Sequence, residues 1–117
     1  MDYDAVEKLQ CTFCINRASD YVPAAPESKL GLAISNLGKL PVNGLRHPPE
    51  GGTNGWYIWL GEELSSAPDF FVLLHTAHLS EYCPEIIEYL GLQPGFRFLK
   101  AGDYLDIWYD STLMDDS

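Results

Sequence analysis

The residues of this chain best equipped to hold a metal or move electrons are three cysteines and two histidines. Cys11-Thr12-Phe13-Cys14 is a C-x-x-C, a spacing at which two thiolates reach one zinc ion or close a redox disulfide. Zinc would need two further ligands. No second C-x-x-C follows, so His75, His78 and Cys83 are the residues left to supply them. A redox pair would open a helix within a βαβ pattern, and the flanks Leu9-Gln10 and Ile15-Asn16 show none. Two small buried apolar residues are the plainer reading of the pair. His75 and His78, as a metal or acid–base pair, would want a carboxylate to orient their rings, and Glu81 is available in sequence. Hydrogen bonding of one or both rings within the packed structure is the simpler alternative. Cys83 precedes Pro84 at a helix start, which lowers a thiol pKa, while Glu81, Glu85 and Glu88 raise it. The two effects oppose one another and leave a structural thiol.

Asn43-Gly44-Leu45-Arg46-His47-Pro48-Pro49 reads as a purposeful loop. Arg46 is a bidentate donor able to clamp a partner's carboxylate or to pin the loop to an internal acid. Gly51-Gly52-Thr53-Asn54-Gly55 suggests a phosphate cradle, but it lacks the Lys-Ser/Thr ending and leads into a strand where phosphate loops lead into a helix. No Ser-His-Asp order, Walker motif or dinucleotide fingerprint is present, and no cofactor is expected.

The elements that must position these groups follow from apolar patterning and chain breakers. Residues 4–10 suit a short acidic helix or a frayed arm, and 11–15 suit a strand. Residues 18–28 hold two prolines and small side chains, the mark of an exposed connection. Residues 30–35 form a short apolar strand. Between 36 and 54 the density of Gly and Pro excludes helix and central strand alike. Trp56-Tyr57-Ile58-Trp59-Leu60, bounded by Gly55 and Gly61, is the strongest strand signal. Residues 70–75 make a second apolar run. Pro84 opens a short helix with Ile86, Ile87 and Leu90 on one face and Gly91 as its stop. Residues 96–99 and 104–109 form the arms of a hairpin turning at Lys100-Ala101-Gly102-Asp103. The pattern predicts an α+β fold, a small antiparallel sheet with one or two short helices packed on it. A single domain is expected: an arm or strand plus Pro-rich connection over 1–29, the α+β unit over 30–113, and a frayed tail over 114–117.

Composition narrows the partners. The chain has 117 residues, 7 basic against 17 acidic, for a net charge of −10. Such an excess repels phosphate backbones and anionic lipid and attracts basic proteins, so nucleic acid and membrane are not expected partners. No apolar run approaches the roughly 20 residues of a membrane helix. The first ten residues lack the pattern of a secretory signal, and three cysteines fit a reducing compartment, so a cytoplasmic protein is expected. Three tryptophans and seven tyrosines exceed what a small core must use, which leaves room for a symmetric dimer.

Taken in order, the Asn43–Pro49 stretch, Gly55-Trp56-Tyr57-Ile58-Trp59, His78-Leu79-Ser80-Glu81-Tyr82-Cys83-Pro84-Glu85 and Pro94-Gly95-Phe96-Arg97-Phe98 resemble one family over residues 30–110. It is the thirty-third immunity-protein family of bacterial polymorphic-toxin systems, formerly a domain of unknown function. The resemblance implies a non-enzymatic protein that binds and neutralises a cognate toxin in the cytoplasm, and it brings no catalytic residues. Acids that would meet a basic toxin are Glu62, Glu63 and Asp69 after the Trp strand and Asp103, Asp106 and Asp110 on the last hairpin. Tyr57, Tyr104 or Arg46 would anchor it. Two alternatives stay open: a small metal-binding or redox protein using Cys11, Cys14, His75, His78 and Cys83, and a structural or adaptor module.

Overall fold

The computed structural model describes residues 3–65, 67 and 69–114. A helix α1 (Tyr3–Asn16) leads through the Pro-rich connection to β1 (Lys29–Leu32), β2 (Val42–Arg46), β3 (Thr53–Leu60) and β4 (Val72–His75). Two six-residue 3-10 segments, Thr76–Glu81 and Pro84–Tyr89, precede the hairpin of β5 (Phe96–Ala101) and β6 (Tyr104–Tyr109). Short 3-10 turns also span Ile34–Asn36 and Ser111–Met114. The strands form one sheet in the order β4-β1-β3-β2-β5-β6, antiparallel at every pairing except the parallel β1–β3 pair. This is the α+β architecture expected. Of the tail expected to fray over 114–117, residues 115–117 lie outside the described residues.

Three elements differ from expectation. Residues 11–15 continue α1 instead of forming a strand, because the inward stripe is Val6, Gln10, Phe13 and Cys14, a helical spacing that a polar Gln10 obscures. Gln10 is tolerated inside because its amide donates to the Ile87 carbonyl at 2.8 Å and accepts from the Tyr21 hydroxyl at 3.1 Å. The apolar run at 30–35 is a strand only to Leu32 and then tightens into the Ile34–Asn36 turn.

The third difference is the largest. Residues 42–46, inside the stretch thought too broken for a central strand, form β2 between β3 and β5, buried along its whole length. Gly44 serves the strand here: a Cβ at that position would collide with the Phe98 ring on β5. Asn43 is satisfied by the Gly61 carbonyl, which accepts from Nδ2 at 3.0 Å.

Alternation along the strands divides the sheet into two faces. On one, Leu30, Leu32, Val42, Trp56, Ile58, Leu60, Phe96 and Phe98 pack against Cys14 of α1 and against Leu79, Ile86, Tyr89, Leu90 and Leu92. Trp56 is fully enclosed there, and its Nε1 donates to the Leu90 carbonyl at 2.9 Å. On the other face Leu45 and Trp59 pack with Ala33 and Leu113, flanked by half-buried Tyr57, Phe70 and Phe71.

Candidate functional site

The cysteines and histidines do not converge. Cys14 and Cys83 are buried in the core beneath α1, whereas Cys11 is half-buried on the helix. His75 and His78 have ring centroids 6.2 Å apart, and His78 Nδ1 stands 3.9 Å from a Glu81 carboxylate oxygen, with both of those side chains exposed. Among the described residues no three His, Cys, Asp or Glu side chains gather as a metal would require. Burial pushes the Cys83 thiol up to about 11, with Glu85 adding to the rise, and burial also raises Cys14. A neutral-pH alkylating reagent is therefore expected to modify the native protein at Cys11 alone, and at all three cysteines only after denaturation. Intact-mass spectrometry reads the difference, and a rapid second adduct on the native chain would contradict it.

Arg46 faces inward. It is 1% exposed, and its donors go to backbone carbonyls: Nε to Asn54 at 2.9 Å, and Nη1 to Val22 at 2.6 Å, Leu92 at 2.8 Å and Leu90 at 3.4 Å. Its guanidinium also lies 5.7 Å from the centroid of the Trp56 ring. Burial draws its pKa down to about 10, which leaves it cationic at neutral pH. Arg46 thus joins β2 to the Pro-rich connection and to the Leu90–Leu92 turn through backbone carbonyls and not through an internal acid.

Of the six acids singled out, Glu62, Glu63, Asp69, Asp103 and Asp106 are exposed. Asp110 is engaged internally: it accepts from the Thr112 hydroxyl at 2.5 Å and pairs with Arg97 Nη1 at 3.1 Å. Thr112 first and Arg97 second hold its carboxyl below the ordinary carboxylate range. Arg97 also stacks over Trp108, 5.4 Å from the ring centroid.

Pairing register decides which residues share a face. Tyr57 stands opposite Leu45, Leu45 opposite Arg97, and Arg97 opposite Trp108. The next row runs Trp59, Asn43, Leu99, Asp106, and Tyr104 faces Ala101 beyond it. Directly opposed strand residues lie on the same side of a sheet. Tyr57, Trp59, Trp108, Tyr104 and Asp106 therefore all project from the face away from α1.

At the β3 end of this face Tyr57, Leu45, His47, Leu64 and Phe71 line an open hollow of about 280 Å³. Tyr57 is held edge-on to Phe71 at 5.2 Å and to His47 at 5.9 Å, and its ring crosses Gly31, where a Cβ would not fit. The segment carrying Glu62 and Glu63 supplies Leu64 to the same hollow. Tyr57, Tyr104 and Asp106 thus share one face, and the exposed Glu62 and Glu63 come just before Leu64 in the chain. Trp59, Trp108, Arg97 and Phe71 were missed in the sequence, although alternation within 56–60 and 104–109 marks both tryptophans as neighbours of residues already chosen.

Such a molecule is a one-sheet α+β domain, with one face sealed beneath a helix and the other presenting aromatic side chains among acids. The Imm33-like domain model matches residues 9–110, and the chain belongs to that family. The match begins inside α1, so it takes in the C-x-x-C helix and the Pro-rich connection that the resemblance over 30–110 had left out. Comparison with the curated proteins and with the solved structures returned no match. No helix among the described residues is long and apolar enough to cross a membrane.

Proposed function

We propose that the chain is a non-enzymatic immunity protein that binds and neutralises a cognate, basic bacterial toxin in the cytoplasm, using the sheet face opposite α1. Membership of the Imm33-like family supports the class of function. The observation that carries the choice of surface is the register, which collects Tyr57, Tyr104 and Asp106 on the side of the sheet that holds the hollow lined by Tyr57 and by Leu64, the residue following Glu62 and Glu63. An apolar hollow anchors one or a few side chains of the partner, and the acids around it steer a basic surface into place. Asp69 and Asp103 extend the acidic margin. Asp110 and Arg46 leave the contact set and act by holding the face in shape.

Co-expression with the toxin encoded beside this chain's gene tests the reading. A stable complex is expected to form and to restore growth, and the Tyr57→Ala variant is expected to bind more weakly while folding normally. Normal growth arrest despite abundant folded protein, with no complex recovered, would overturn it.

A further inference from the structure

We propose that the chain pairs with a second copy of itself through the outer edge of β4, so that two sheets join into one continuous sheet. The six-stranded sheet ends at β4 on one side and at β6 on the other, and among the described residues no strand occupies the outer side of either. An edge strand offers a row of N–H and C=O groups to any strand of suitable chemistry, and proteins commonly block such edges with charge. The β6 edge is blocked in this way: exposed Asp103 precedes it and exposed Asp106 lies within it. The β4 edge is not. Val72-Leu73-Leu74-His75 carries no charge apart from a protonatable histidine, and no Asp, Glu, Lys or Arg occurs between Phe70 and Ser80. Val72 is 46% exposed and Leu73 53%.

The backbone of this edge is oriented for pairing. The Thr76 N–H donates to the Ser28 carbonyl at 2.8 Å, and Leu74 and Val72 stand opposite Leu30 and Leu32 in the same register. Hydrogen-bonded and non-bonded pairs alternate along an antiparallel ladder, so Val72 and Leu74 direct their backbone groups at β1. Leu73 and His75 therefore direct theirs outward. An antiparallel copy of the same strand presents the same two donors and two acceptors in reverse order, which is the reciprocity a two-fold axis provides.

Charge selects a second copy over a basic partner here. Two chains of net charge −10 repel wherever acids face acids, and of the two edge strands β4 is the one that contains no acid. Lys29, exposed on β1 opposite His75, makes this corner less acidic still. A basic partner gains no attraction at such an edge, whereas an identical neutral one meets no repulsion. A two-fold axis normal to the sheet leaves both faces opposite α1 on the same side, clear of the joint. The proposal does not depend on the toxin reading, since its test contains no toxin.

Sedimentation equilibrium of the full chain across the micromolar range is expected to show a mass twice that of the 13.1 kDa protomer. Leu73→Lys places like charges across the joint and is expected to weaken association about 100-fold or more, giving protomers. Tyr104→Lys on the opposite edge is expected to leave the dimer intact. Hydrogen exchange on the unaltered chain supplies a readout that survives misfolding of either variant: the Leu73 and His75 amides are expected to gain protection as concentration rises. A protomer mass throughout the range, a Leu73→Lys variant that stays dimeric, or concentration-independent exchange at Leu73 and His75 would each overturn the proposal.

Discussion

Replacing Arg46 by methionine is expected to destabilise the fold by about 3–5 kcal/mol, because several buried carbonyls lose their donor at once. Methionine keeps the apolar stem and much of the volume, so the loss falls on the hydrogen bonds. The carbonyls of Val22, Leu90, Leu92 and Asn54 all accept from this one side chain. A buried acceptor left without a donor costs about 1–3 kcal/mol, and even partial rehydration of these oxygens leaves several such penalties standing. Against a typical domain stability of roughly 5–15 kcal/mol, the variant sits near the threshold of folding. Arg46→Lys is expected to recover only part of the loss, because one ammonium cannot point donors at Asn54 and at the Leu90–Leu92 turn together.

The Leu90 carbonyl also accepts from Trp56 Nε1, so Arg46 and Trp56 share an acceptor. A double-mutant cycle between Arg46→Met and Trp56→Phe is accordingly expected to be non-additive. Urea unfolding followed by tryptophan fluorescence measures all of these. A loss below about 1 kcal/mol would mean that water reaches the carbonyls freely and that the guanidinium is not the clamp described.

Arg46 also shows where local pattern stops being informative. Its chemistry as a multiple donor is legible from residue type, but three of its acceptors lie 24, 44 and 46 residues away, in segments whose approach no short-range spacing encodes. The strands that the sequence discloses are those whose alternation is complete within themselves: β3 with its aromatic run, and the β5–β6 hairpin with its turn. β2 is hidden because its glycine and the neighbouring prolines count against a strand. Only the arrival of Phe98 from β5, some fifty positions on, turns Gly44 from a breaker into a requirement. α1 is hidden for the opposite reason: Cys11–Ile15 is apolar enough to pass as a strand, and the polar member of its inward stripe, Gln10, is explained only by the distant Ile87 carbonyl. The candidate face is half legible in the same sense. Each acid and tyrosine is visible as a residue, yet that Tyr57, Asp106 and Tyr104 share a side depends on register through β2 and β5.

Reversing the charge of Glu62, Glu63, Asp69 and Asp106 together is expected to slow association with a basic toxin by about 100-fold at low salt, within the range that electrostatic steering supplies. The four substitutions by lysine move the net charge from −10 to −2. A fall in rate alone would therefore not separate the face from the total. Reversal of Glu7, Glu81, Glu85 and Glu88 on the helical side of the sheet makes the same change in net charge and provides the comparison. Long-range attraction felt at the whole-molecule level would slow both variants equally. A field focused at the face opposite α1 slows the first far more, and the gap closes as added salt shortens the screening length to about 8 Å at physiological ionic strength. Dissociation responds differently. Rim charges act mainly on encounter, whereas the side chain seated in the Tyr57 hollow acts on residence, so Tyr57→Ala is expected to raise the dissociation rate with little change in association. Stopped-flow association at several salt concentrations, paired with dissociation by competition, separates the two. Equal slowing by the two charge variants would remove the acids of this face from the steering. A Tyr57→Ala variant that changed only the association rate would remove the hollow as an anchor.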